Sequence, residues 1–352
     1  MADQPRDGAP LAAFLSFRFG ATDGVSVVTR TWIAAFESFG FRVVTVAGNG
    51  DADRLVPGLE IGAGEPPSPG LLAEALDDVD LCVVENLLTI PLNLPAARAV
   101  AGALAGRPAV LHHHDPPWQR DQWAHVTELP PDDRSWCHVT INRQTVGELA
   151  ERGIAATAIY NGFAPGGPVD RDRQRADLDV APDEPLVVHP VRAIPRKNIG
   201  AAIALTEHVG GTYWLLGPAE DGYAPELDRL IRSARCRVIH LGANSIDDAY
   251  AAADLVAYPS TWEGFGMPPI EASLRRRPVV VGRYPMADEL RRIGFRFIDQ
   301  DDSAGALDAI AGRGAGAPQV IAHNERLAAE HFSIDRLRHD LRSLLDRQGW
   351  LP

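Results

Sequence analysis

Apolar and polar positions along the chain follow two rhythms. Short Val-, Ile- and Leu-rich runs without clean alternation predict strands at 11–17, 42–47, 81–84, 109–112, 138–141 and 157–160. Such runs suit parallel strands covered on both faces. Between them lie longer stretches of helical period. In 26–39, Val28, Trp32, Ala35, Phe36 and Phe39 share one face. Further helices are predicted at 93–105 and 143–152. The stretch 162–185 is rich in Pro, Gly, Asp and Arg and poor in large apolar residues, so it reads as a connection. The same alternation then restarts. Strands are predicted at 186–191, 212–216, 237–241, 255–258, 278–281 and 295–298, and helices at 199–208, 225–234, 246–253, 269–276 and 286–292. A last helical pattern, 334–347, has interspersed Asp and Arg and reads as a solvated face.

Strands alternating with helices twice over predict an α/β protein of two Rossmann-like, doubly wound parallel-sheet domains facing a central cleft. The expected boundaries are 1–165 for the first domain, 166–185 for a linker and 186–333 for the second. The length of 352 residues agrees, at roughly 150 residues per domain.

Composition narrows the partners. A formal net charge of −13 repels phosphate backbones and anionic membrane surfaces, which argues against nucleic acid and against membrane docking. No run approaches the roughly 20 apolar residues that span a bilayer, and no secretory signal is visible, so a cytoplasmic protein is expected. Cys82, Cys137 and Cys236 are widely spaced and fit neither a disulfide framework nor a zinc site. Nothing in the pattern sets an oligomeric state. Of 34 basic residues, only Lys197 is a lysine, which invites a chemical reason for keeping it.

Four segments carry candidate chemistry. In 260–271, Gly264 and Gly266 allow a tight turn after a strand, and Pro268 and Pro269 suit the first turn of a helix. A glycine turn opening a helix is an anion site. The carboxylates Glu263 and Glu271 frame it and would accept hydrogen bonds from hydroxyls. A ligand with a diphosphate between two hydroxyl-bearing groups satisfies that arrangement; two surface glutamates at a plain strand–turn–helix junction is the simpler alternative. In 189–198, Arg192 and Lys197 flank a loop after the first strand of the second half, where they could meet phosphate oxygens or simply be solvated. In 112–115, alternation sets His112 and His114 on one face. A metal pair, a hydrogen-bonding site for a polar ligand and a locally satisfied cluster all remain open there, and no third metal ligand stands at a persuasive spacing. Trp118 and Arg120 follow and could wall an acceptor. The fourth segment, 20–24, contains glycine but lacks the dinucleotide fingerprint.

These residues together resemble the family-4 retaining glycosyltransferases of the GT-B fold, over most of the chain from Leu11 to about Ile298. Glu263 and Glu271 match the family's paired glutamates with seven residues between them, and Arg192 and Lys197 its Arg–Lys element. His114–Asp115 matches a His-Asp at a strand end, and Asn161–Gly162 the pair closing the first domain. The resemblance implies that Arg192 and Lys197 bind a donor diphosphate, that Glu263 contacts the donor sugar and Glu271 the ribose, and that His114 lies near the transferred sugar. Gly264, Phe265, Gly266, Met267 and Pro268 would hold the donor, with Gly24 in the loop after the first strand. The chain departs from the family where Asp23 precedes Gly24 and where Asn198 replaces a common glycine. Residues 84–88 and 112–120 resemble a bacterial subgroup acting on small soluble acceptors, which places Asn86, Asp115, Trp118 and Arg120 on the acceptor side. The implied reaction is a retaining, metal-independent transfer of a hexose from a GDP-mannose or UDP-glucose type donor, used as a substrate without a cofactor, to a hydroxyl of a small molecule or glycan. The last helix would return to the first domain. The alternatives are a sugar-nucleotide epimerase, a hydrolase, and a catalytically silent binding protein.

Overall fold

The computed structural model describes residues 8–20, 24–128 and 130–352. The chain forms two compact units, Met1–Gly162 with Ile334–Pro352 and Phe163–Ser333.

The first unit contains strands β1 (Leu11–Phe19), β2 (Arg42–Gly50), β3 (Arg54–Leu55), β4 (Leu81–Glu85), β5 (Ala109–His113), β6 (Trp136–Thr140) and β7 (Ala156–Ala158). Its helices are α1 (Gly24–Ser38), α2 (Pro69–Leu76), α3 (Leu94–Leu104) and α4 (Arg143–Ala150). The sheet order is β3-β2-β1-β4-β5-β6-β7, and every pairing is parallel. Strand alternation divides the core. Leu11, Ala13, Leu15 and Phe17 pack with Leu72, Leu76, Ala97 and Val100. Ala12 and Phe14 face the other way, onto Val28, Trp32, Ala35 and Phe36. Leu337, Leu341, Leu344 and Leu345 join that second layer and are buried. Full burial of each such leucine is worth about 1.5–3 kcal/mol, so the C-terminal helix is an integral wall of this unit. Gly162 is required where the chain leaves: a Cβ there would lie 3.0 Å from Leu337 Cβ and 3.1 Å from Ile334 Cα.

The second unit contains α5 (Arg171–Asp177), β8 (Leu186–His189), α6 (Ile199–Val209), β9 (Thr212–Leu215), α7 (Ala224–Ser233), β10 (Val238–His240), α8 (Ile246–Ala252), β11 (Leu255–Tyr258), α9 (Met267–Leu274), β12 (Val279–Val281), α10 (Pro285–Ile293), β13 (Ile298–Asp299), α11 (Ser303–Ile310) and α12 (Pro318–Phe332). The chain then enters α13 (Ile334–Gln348) of the first unit. Strand order is β10-β9-β8-β11-β12-β13, again all parallel. Both sheets reverse direction beside their first strand, at β1/β4 and at β8/β11. Crevices at such switch points are where open α/β sheets bind ligands.

The stretch 166–185 is more than a connection. It contains α5, which docks through two arginines, and it buries Leu178 and Val180 just after that helix. Arg171 donates to the carbonyls of Ala251, Ala252 and Ala253, each at 2.8 Å. Buried Arg175 donates to Ala252 at 2.8 Å and Asp254 at 3.1 Å. These guanidiniums satisfy carbonyls left unpaired at the end of α8. Among the described residues, no helix is long and apolar enough to cross a membrane.

Candidate functional site

The β8/β11 switch point gathers most of the second unit's candidates. After β8 the chain makes a short turn of 3₁₀ helix, Pro195–Lys197, and Asn198 adopts a left-handed conformation with φ of 54°. That accounts for the departure at this position, because glycine and asparagine tolerate this region best. The loop is tied to the one after β11: Thr261 N–H donates to Arg196 O at 2.9 Å, and Asn198 Nδ2 to Pro259 O at 3.3 Å.

Those ties bring charge together. Lys197 Nζ lies 2.5 Å from Glu263 Oε1 and donates to Tyr258 Oη at 3.0 Å. The ammonium stands 4.8 Å over the Tyr258 ring. Arg196 binds the other oxygen of Glu263. Lys197 and Glu263 are both buried. Burial pushes the Lys197 ammonium down to about 8, against the attraction of Glu263. Burial pushes the Glu263 carboxyl up, but Lys197 and Arg196 outweigh it and leave the group below its ordinary range. Two cations and one anion leave a local charge of +1.

The glycine turn closes on the same group. Gly266 has φ of 80° and caps α9 with no side chain of its own. A Cβ on it would stand 2.9 Å from Tyr284 Oη, 3.3 Å from a Tyr258 ring carbon and 3.5 Å from Glu263 Cβ. Lys197 and Gly266 therefore share the neighbours Tyr258 and Glu263. Gly264 lies in the turn, and Met267 and Pro268 open the helix. Phe265 is buried, stacked on Phe163 at 5.9 Å and edge-on to Phe332 at 6.0 Å. Glu271 accepts a hydrogen bond from Tyr250 Oη at 2.8 Å, and burial raises its carboxyl above the usual range despite that bond.

Arg192 pairs outside this cluster, although its charge adds to the lowering of the Lys197 ammonium. It is exposed and pairs with Glu220 at 2.6 Å. Arg196, which the motif spacing did not single out, is the guanidinium that touches Glu263. Its signal was adjacency to the lone lysine.

In the first unit, β4 and β5 end beside one another at the other switch. Glu85 is sealed from solvent, and its Oε2 lies 2.9 Å from His112 Nδ1 and 3.1 Å from His114 Nε2. The two ring nitrogens are 3.3 Å apart. His112 stacks on Trp32 at 3.9 Å. Burial drives the His112 imidazole down to about 4, so it is neutral near pH 7. Burial disfavours the Glu85 carboxylate, yet His112 and His114 hold it down at about 2. Glu85 thus supplies the third side chain that spacing alone did not reveal. These three are also the group of described residues able to surround a metal.

Asn86 adopts φ of 59°. Its Oδ1 accepts the backbone N–H of His114 and of Asp115, both at 3.1 Å. Asp115 pairs with Arg120 at 2.5 Å. Trp118 donates its indole N–H to Glu148 at 2.7 Å, and Arg152 covers its ring at 3.8 Å. The Trp118 ring therefore already has its partners. Gly24 begins α1, while Asp23 lies outside the described residues.

Both sheets, with helices on their faces and side-chain clusters at their switch points, define a two-domain α/β protein. Solved structures share that architecture along nearly the whole chain. Anabaena HepE in complex with UDP-glucose matches with a TM-score of 0.75 at 21% identity, covering 96% of this chain and 99% of that one. Sucrose-phosphate synthase from Thermosynechococcus elongatus matches with a TM-score of 0.72 at 15% identity, covering 96% and 98%. The fold is GT-B.

Residues 170–312 match the family model of glycosyl transferases group 1. The second unit thus carries a glycosyl transferases group 1 domain over residues 170–312. Mannosylglucosylglycerate synthase from Thermotoga maritima is 24% identical over 92% of this chain and 97% of its own length. D-inositol 3-phosphate glycosyltransferase from Actinosynnema mirum is 32% identical over 51% of this chain and 47% of its own.

Proposed function

We propose that the protein is a retaining glycosyltransferase moving a hexose from a nucleoside-diphosphate sugar, of the GDP-mannose or UDP-glucose type, to a hydroxyl of a small soluble acceptor or glycan. The observation that carries this reading is the meeting of Lys197, Arg196, Glu263 and the Gly266 turn at one switch point. A cationic surplus beside a helix start suits a diphosphate. The names of the relatives add support, since they describe transfer involving glycerate and inositol phosphate, both small and polar. HepE was solved with UDP-glucose.

In this reading Lys197 and Arg192 meet the diphosphate, and Arg196 helps hold Glu263 so that the carboxylate does not consume the lysine's charge. The exposed Arg192–Glu220 pair is worth at most about 1 kcal/mol, so Arg192 can leave it readily. Glu263 contacts the sugar hydroxyls, and Glu271 accepts from the ribose. Glu263 is a weak base, since two cations hold its carboxyl down. The departing phosphate oxygen therefore takes the acceptor proton. The bond from the anomeric carbon to phosphate breaks as the acceptor oxygen bonds to that carbon from the same face. Protein cations carry the leaving-group charge, a task a divalent ion performs elsewhere.

The test is a donor-consumption assay with UDP-glucose and GDP-mannose, with and without polyol and glycerate acceptors, run in EDTA. Acceptor-dependent consumption giving a product of unchanged anomeric configuration is expected. An epimerised donor, free sugar released without acceptor, or binding without turnover would each overturn the assignment.

A further inference from the structure

In the first unit, no Lys or Arg among the described residues pairs with the fully buried carboxylate of Glu85. Glu85 Oε2 instead receives two imidazoles, at 2.9 Å and 3.1 Å. A tetrahedral zinc with ligands at about 2.0–2.1 Å would hold its ligand atoms roughly 3.3 Å apart. The two contacts to Glu85 are shorter than that and fall in the hydrogen-bond range. Each imidazole therefore donates an N–H to the carboxylate, and that fixes both tautomers.

For His112 the proton is on Nδ1. The bare Nε2 faces inward with no partner, and the ring lies against Trp32. For His114 it is Nε2 that donates to the carboxylate, which leaves Nδ1 as the ring nitrogen outside that bond. Among the described residues Nδ1 has no hydrogen-bond partner, on a ring that is 6% exposed. His114 is also held from its backbone, since Asn86 Oδ1 receives its N–H. Side chain and main chain are thus both pinned, and one ring atom is left to meet a ligand.

We infer that Glu85 is a positioning residue: it locks His114 in the tautomer whose Nδ1 accepts a hydrogen bond from a hydroxyl of the transferred sugar or of the acceptor. The inference rests on the glycosyltransferase reading for the identity of that hydroxyl. The tautomer itself does not depend on it. His112 donates to the same Oε2 and helps hold Glu85 in place.

Glu85→Gln is the discriminating change. It keeps the shape and removes the charge, and the amide can turn its N–H to the Oε2 position, where His112 Nδ1 and His114 Nε2 would then have to accept and the His114 proton would move to Nδ1. That atom then repels the donor it previously attracted. A wrong tautomer of this kind cripples catalytic histidines without disturbing their geometry.

The experiment uses the full chain with ¹⁵N-labelled histidine, with His114→Asn assigning the ring signals. Wild type should show a protonated Nε2 and a bare Nδ1 at His114, and Glu85→Gln the reverse. Transfer by Glu85→Gln should fall about 100-fold or more, on the scale of losing a positioned proton partner. UDP or GDP affinity should stay within about twofold, since the second unit is untouched. A raised KM for the acceptor would identify the acceptor hydroxyl. A lost affinity difference between UDP-glucose and UDP would identify the sugar hydroxyl. Should Glu85→Gln fail to fold, Glu85→Asp keeps the charge and should retain the wild-type tautomer with intermediate activity. The inference is overturned by a wild-type His114 protonated on Nδ1, by Glu85→Gln leaving tautomer and kinetics unchanged, or by stoichiometric zinc in wild type that Glu85→Gln loses. A chain that transfers no sugar at all but shows the stated tautomers would sink the functional reading and keep the Glu85 assignment.

Discussion

Each unit places a buried glutamate by the strand beside its switch point, and the two are partnered in opposite ways. Glu263 follows β11 and is held by the cations Lys197 and Arg196. Glu85 ends β4 and is held by two imidazoles, of which His112 is neutral near pH 7. The difference tells what each cluster can do. The ionic cluster carries surplus positive charge and is suited to an anion. The imidazole cluster stores direction, because the same carboxylate decides which ring nitrogens bear protons. One topology, used twice, thus yields a charge site and an orientation site.

The comparison breaks most visibly at the ionic cluster. Lys197→Ala and Glu263→Ala are each expected to lower transfer at least ~100-fold, the scale of removing one charge-stabilising group. Steady-state kinetics on purified variants checks this, and near-normal activity in both would refute the site. Glu263→Ala also strands a buried ammonium, which costs about 3–5 kcal/mol of stability, so its melting temperature is to be read alongside. A substitution at Glu85 should leave nucleotide affinity intact, whereas these two should not.

Gly266→Ala ranks next. The added Cβ meets Tyr284 Oη at 2.9 Å on a backbone with φ of 80°. A left-handed alanine costs roughly 1–2 kcal/mol before any clash, so donor binding should weaken about tenfold or more. Tyr284→Phe removes the obstructing hydroxyl, which is buried without a partner. The double variant should therefore recover part of the loss by calorimetric titration with UDP or GDP. No recovery would show that the backbone, not the hydroxyl, sets the penalty.

The pH response follows from the sign of the Lys197 shift. Its ammonium is lowered to about 8 in the fold, chiefly by burial. The charged form dominates below that value and the neutral form above it, and a diphosphate is attracted by the charged form. Nucleoside diphosphate affinity should thus fall about tenfold between pH 7 and pH 9, at most one decade per unit. Lys197→Arg, charged throughout, should flatten the profile. The imidazole cluster contributes nothing in this window through His112, whose proton is lost near 4.

Much of this was legible in the sequence. The strand–helix alternation placed both sheets, because buried parallel strands leave uninterrupted apolar runs. The paired glutamates and the lone lysine marked the ionic cluster, since glycine and proline punctuate a turn before a helix. Three things were not legible. Arg171 and Arg175 dock α5 through carbonyls of the 251–253 segment, a partnership that leaves no apolar period. Helices α2, α11 and α12 run through Pro- and Gly-flanked or alanine-rich sequence. Glu85 and the histidines lie 27 and 29 residues apart, and only the pairing of β4 with β5 brings Glu85 against His112. Spacing along a chain shows a motif when one segment holds it, and conceals it when two strands share it.

The smallest expected effect sharpens the ionic half of the comparison. Arg192 fits the motif spacing yet pairs with Glu220, both half-exposed, at 2.6 Å. If Arg192 leaves that pair to meet a diphosphate, the pair is a cost paid on binding. An exposed ion pair is worth about 0–1 kcal/mol, so Glu220→Ala should tighten UDP or GDP binding by up to about fivefold at low salt. Screening at 1 M salt should erase the gain, because the Debye length there is about 3 Å. Arg192→Ala should remove it altogether, and the double variant should behave as Arg192→Ala alone. Unchanged affinity in Glu220→Ala would mean that Arg192 stays where the structure shows it, leaving Arg196 and Lys197 as the cations that receive the phosphates.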